Sequence, residues 1–140
     1  MTTEARAHDE RTRPLAAARL GAIAAVTPVM MFLAWTAISH WGGTPVEFIQ
    51  LLAVISAIAL VAGWVVGGRS GRTIRSILLD AIAFPTIAWL IFLPIAAIWS
   101  TWPWGLLYGL VSSLYVIPLL TPFGAGWALT YYLLRRGMGV

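Results

Sequence analysis

The chain has no cysteine, and it has only five acidic residues and two histidines among its 140 positions. Without a thiol it forms no disulfide, thiolate nucleophile or Cys-ligated zinc or iron–sulfur centre, and its redox compartment is unreadable. Lysine is missing as well, so all nine basic residues are Arg. Charged residues make up 10% of the chain and hydrophobic residues 60%, against about 25% charged in an ordinary soluble domain. A water-soluble domain of this composition could not cover its core. No Ser/His/acid arrangement, phosphate-binding glycine loop, pair of intramembrane carboxylates or His-rich cluster is present, and an enzyme is not expected. The net charge of +4 is not the footprint of a nucleic-acid binder, because the Arg residues flank apolar runs and form no basic patch interleaved with aromatics.

The chain is instead dominated by four apolar runs, at approximately 15–39, 46–66, 74–99 and 104–134. Each reaches the ~20 residues that cross a hydrocarbon core of about 30 Å. None carries the polar stripe of a surface helix in water. The expected fold is all-α: a polytopic membrane protein of four transmembrane helices in two hairpins, one domain over 15–136 after a tail over 1–14. The first run is too long for the apolar core of a signal peptide and is expected to stay uncleaved.

Orientation follows from arginine. Arg6, Arg11, Arg13 and Arg19 lie in or near the tail, Arg69, Arg72 and Arg75 between the second and third spans, and Arg135 and Arg136 after the fourth. The connections His40–Pro45 and Ser100–Pro103 hold none. Because positive charge marks the cytoplasmic side, both termini are expected in the cytoplasm, with the protein multi-pass in the cell (inner or plasma) membrane. Trp41, Trp99, Trp102 and Trp104 mark the two Arg-free turns, where an indole favours the headgroup layer.

The halves meet at Gly67-Gly68-Arg69-Ser70-Gly71, where the glycines can end the second helix and Thr73 can cap the third. Pro28, Trp41 and Pro45 align with Pro85, Trp99 and Pro103, either as a duplicated hairpin or by chance, since Trp and Pro both favour membrane helix ends.

Thr44-Pro45-Val46-Glu47 has the pattern of a capping box, with Pro45 at the first helical position. It accounts for Glu47 without a metal. His40 suits the negative end of the first helix, and axial ligation of a haem or pigment is its alternative role. Asp80, five residues after Arg75, is the acid within the body of a span, at shallow depth. It is expected to pair with Arg72, Arg75, Arg135 or Arg136, the alternative being a place on an ion path. The fourth run, about 31 residues or roughly 46 Å as a helix, overshoots the core. Pro118, Thr121 and Pro122, followed by Gly124 and Gly126, therefore predict a kinked or broken helix: its last segment lies along the interface, or the break lines a transport cavity. Pro28, Pro85, Pro94 and Pro118 predict kinks within spans. Ala59, Gly63 and Gly67, and Gly105, Gly109 and Ser113, form small-residue ridges for close helix packing.

The leading expectation is a non-catalytic accessory or scaffolding subunit that packs on other integral membrane subunits. The competing one is a small homo-oligomeric transporter or channel, and a minor one is a pigment- or haem-binding subunit using His40. No cofactor is predicted. The expected contacts are lipids, other membrane subunits or further copies of the chain, and no nucleic acid.

Overall fold

The computed structural model describes residues 3–39, 42–70, 73–99 and 104–139. These form α1 (Thr3–Ala24), α2 (Val26–Ile38), α3 (Pro45–Arg69), α4 (Ile74–Trp99) and α5 (Trp104–Met138), with no strand among the described residues. Four stretches are long and apolar enough to cross a membrane: Arg13–Ile38, Pro45–Arg69, Arg75–Ile98 and Trp104–Met138. The first of these lies close to the expected span 15–39, and the helix that carries it starts earlier, within the expected tail 1–14. Helix α1 begins at Thr3 and runs through Pro14, in a segment rich in the strong helix formers Ala, Arg and Glu.

Local chemistry explains where the helices start and stop. Pro28 has no N–H for the Ala24 carbonyl, and its ring crowds that oxygen, so the first span is interrupted between Ala24 and Val26. The Ala25 N–H turns back to Ala22 O at 3.2 Å. Helix α3 opens on the capping box expected from its sequence. Thr44 N–H donates to Glu47 Oε2 at 2.9 Å, Glu47 N–H donates to Thr44 Oγ1 at 3.3 Å, and Pro45 follows the cap. Thr73 caps α4 by accepting from Ser76 N–H at 3.3 Å.

Two expectations fail. Gly67 and Gly68 do not end α3, which continues to Arg69, because these glycines lie against α1. The fourth span is not broken: α5 is one helix of 35 residues through Pro118 and Pro122. Its excess length has a simpler use. From Trp104 to Arg135 it measures about 46 Å, close to the ~40–45 Å of a bilayer with its headgroup layers.

Helix α1 packs chiefly on α3, and α4 on α5. Leu20, Ala24, Ala62, Val66, Ala81, Phe84, Trp127 and Tyr131 belong to the buried core. This core lies toward the end where α3 finishes at Arg69 and α5 at Arg135 and Arg136, with Ala18 of α1 against Gly68. Small residues make it dense. A Cβ on Gly21 would lie 2.8 Å from Gly67 Cα and still closer to Gly63 O, so α1 and α3 touch backbone to backbone. A Cβ on Gly124 would collide with Ala81 O and stand 2.6 Å from Pro85 Cδ. Ala81 O is the carbonyl that Pro85, lacking an N–H, cannot serve within α4. Gly124, with no Cβ, lets α5 approach that oxygen closely.

Candidate functional site

One face of α5 carries Trp127, Tyr131 and Arg135 at successive i, i+4 positions, which stack above one another on a helix. The face enters the crossing of α1 and α3. Trp127 Nε1 donates to Gly21 O at 2.8 Å, Tyr131 Oη to Gly67 O at 2.9 Å, and Arg135 Nη1 to Ser70 O at 3.1 Å. Each of these carbonyls needs an outside donor. Gly21 O would take the Ala25 N–H in an unbroken helix, but that group serves Ala22 O. Gly67 and Ser70 sit in the last turn and at the C-cap of α3, where carbonyls have no intrahelical partner and a cation is favourable. At Gly21 O, covered by the fully buried Trp127, no water could supply the missing bond. The rings also stack: Phe84 on Trp127 at 5.0 Å, Trp127 on Tyr131 at 5.1 Å, with the Arg135 guanidinium 5.8 Å from the Tyr131 ring centre.

Asp80 joins this network as the acceptor of a short hydrogen bond from Ser70 Oγ. Arg135, whose Nη1 also donates to Tyr131 Oη at 3.2 Å, is near enough to interact with the carboxylate charge. The residue thus holds the end of α3 against the start of α4. Asp80→Leu is expected to cost about 1–3 kcal/mol, the range for stranding a partner of a charged group, while Asp80→Asn, which keeps an acceptor oxygen, costs less. Thermal unfolding in detergent measures both. A leucine variant as stable as the parent contradicts the structural role.

The other residues singled out from the sequence are dispersed. Pro118 and Pro122 are exposed, and Thr121 donates its hydroxyl to Ile117 O at 3.1 Å within its own helix. Gly63 and Gly67 are buried at the crossing with α1, and the buried Ala59 lines an apolar cavity. Gly105 is half-buried, Gly109 lies under Leu93, and Ser113 accepts from Trp89 Nε1 at 2.7 Å. Arg69, Arg75 and Arg136 are exposed. His40 and Arg72 lie outside the described residues. The expected interfacial run Trp127–Arg136 is corrected: Trp127 and Tyr131 are 0% and 3% exposed, inside the bundle, because Gly124 and Ala128 let α5 approach its neighbours. Among the described residues no three His, Asp or Glu side chains converge as metal ligands.

Two further features stand apart from this network. A cavity of about 230 Å³ lies between α2, α3, α4 and α5, walled only by apolar and aromatic residues, including Pro28, Phe32, Phe84, Pro85, Trp89 and Phe92. On the outside of α5, Trp104, Tyr108, Val111, Tyr115, Pro118 and Pro122 repeat at alternating spacings of four and three, and all are exposed. Tyr115 is 76% exposed, and its hydroxyl has no hydrogen-bond partner among the described residues.

Sequence reasoning misses Gly21, the packing role of Gly124, the inward aim of Trp127 and Tyr131, and the role of Ser70. The available signal was the spacing Ala17, Gly21, Ala25 on the first span, a third small-residue ridge, and the three donors four residues apart in the last one. No family model matches the chain, and neither a curated protein nor a solved structure is found similar to it.

Proposed function

We propose that the chain is a non-catalytic accessory subunit of a larger membrane protein assembly, docking through the exposed seam of α5 onto a transmembrane helix of a different protein. It would sit in the cell membrane with its Arg-bearing end and both termini in the cytoplasm, as the all-Arg end and the positive-inside rule favour.

The observation that carries this reading is Tyr115. It stands 11 residues along α5 from Trp104, roughly 16 Å at 1.5 Å per residue, inside the hydrocarbon layer. A phenol facing acyl chains leaves its hydroxyl unpaired, at a cost of about 2 kcal/mol or more. A neighbouring helix with a hydrogen-bonding side chain at that depth removes the cost. The four–three spacing of the seam is that of a helix–helix contact. Its residues are bulky, so their complement is a ridge of small ones. This chain's own small-residue ridges are engaged internally, Gly63 and Gly67 on Gly21 and Gly109 on Leu93, which favours a different protein over a second copy. Transport is less well supported, since Asp80 is bound to Ser70 and the cavity wall is apolar.

The test is native gel migration and co-purification of the untagged chain from its own membranes. The chain is expected to travel with larger membrane proteins. Tyr115→Phe should weaken that association by about 5- to 30-fold, the equivalent of the ~1–2 kcal/mol of an interhelical hydrogen bond in membranes. Leu60→Ala, on a lipid-facing position of α3, should not change it. A lone monomer, or a homodimer insensitive to Tyr115→Phe, overturns the proposal.

A further inference from the structure

The cavity between α2, α3, α4 and α5 is large beside an apolar cavity of ~150 Å³ that holds a benzene molecule, and nothing in the reading of α5 as a docking helix uses it. Its wall offers one hydrogen-bonding group, Trp89 Nε1, which is already donated to Ser113 Oγ at 2.7 Å. Water or a polar ligand therefore finds no partner there. The cavity is kept open by rigid parts. Phe32, Phe84, Phe92 and Phe123 stand around it, Trp89 and Phe92 stack at 5.5 Å, and the Thr27–Thr130 hydroxyl pair at 2.8 Å fixes α2 to α5.

Depth identifies the occupant. The wall residues of α3 run from Leu51 to Ala59, the seventh to the fifteenth residues of that helix, or roughly 9–21 Å from its start. The headgroup layer lies outside that range, and the terminal half of an acyl chain lies within it. Leu51, Ile55, Phe32 and Phe92 are only half-buried, so the cavity reaches the lipid-facing surface. We propose that it is a binding site for one acyl tail of a membrane phospholipid, inserted methyl end first, with the headgroup left in the leaflet.

Native mass spectrometry of the chain, extracted from its membranes in a mild detergent, tests this. One phospholipid per chain is expected to survive washing that strips the surrounding lipid. Ala88→Phe on α4 and Ile55→Phe on α3, which fill the cavity from two sides, should each lower the lipid-bound fraction at least fivefold. After delipidation, dioleoylphosphatidylglycerol should raise the melting temperature of the parent and leave both filled variants unchanged. Equal retention in parent and filled variants overturns the proposal, as does a retained mass matching an isoprenoid. The parent alone decides if neither variant folds: no retained lipid and no thermal shift on adding it would rule the site out. Because docking is read from Tyr115→Phe, either idea can fail without the other.

Discussion

Gly21→Ala is expected to destabilise the bundle by about 2 kcal/mol or more, although alanine is the better helix former. The propensity gain is at most ~1 kcal/mol, while a methyl group forced into a packed interior costs about 1–3 kcal/mol and occasionally more. Here the larger figure applies, because the new Cβ meets backbone, Gly63 O and Gly67 Cα, which no side-chain rotation can clear. The sign reverses elsewhere. Gly137 has nothing within 4 Å of where its Cβ would stand, so Gly137→Ala should be neutral or stabilising. Gly109→Ala meets the flexible Leu93 side chain and should fall between them. Unfolding with SDS in mixed micelles ranks the three. A Gly21→Ala protein as stable as the parent would mean that α1 and α3 do not touch as described.

The second large effect belongs to Trp127, the biggest fully buried side chain together with Pro85. Trp127→Ala removes the filling between Phe84 and Tyr131 and leaves Gly21 O without its donor. A loss of about 3–5 kcal/mol is expected, the usual cost of deleting a buried aromatic. Trp127→Phe keeps a ring in the stack and should cost about 1 kcal/mol, mostly the hydrogen bond. The same unfolding titration separates the two. Equal losses would show that the bond matters more than the filling, and a negligible loss for alanine would remove Trp127 from the core.

The four spans were legible in the sequence because the bilayer imposes a length on apolar runs that no soluble fold requires. The capping box at Thr44–Glu47 was legible for the same kind of reason: it is made by residues three apart and depends on nothing distant. What could not be read is where one helix repairs another. Pro28, Pro85, Pro118 and Pro122 all look alike to a local rule, yet only Pro28 interrupts its helix. Pro85 leaves α4 continuous, with Gly124 of α5 up against the freed Ala81 carbonyl. Trp127 likewise looked interfacial because Trp and Tyr favour that layer. Its position inside follows from Gly21 and Gly63, more than sixty residues away in the chain. The candidate site was legible residue by residue only in part. Asp80 stands out in the sequence as an acid within an apolar run, but its hydrogen-bond partner Ser70 lies in a Gly-rich linker that no local rule marks.

The dependence of α3 on α5 also has a consequence for biosynthesis. The carbonyls of Gly67 and Ser70 leave the ribosome long before Tyr131 and Arg135, the side chains that complete them. Until α5 has been inserted, Gly21 O and Gly67 O lack the hydrogen bonds that Trp127 and Tyr131 give them. Assembly therefore locks late, on delivery of the Trp127–Arg135 stretch of α5. A nascent chain stalled ahead of Trp127 would be a loose precursor, exposed to membrane quality-control proteases, rather than a bundle three-quarters built.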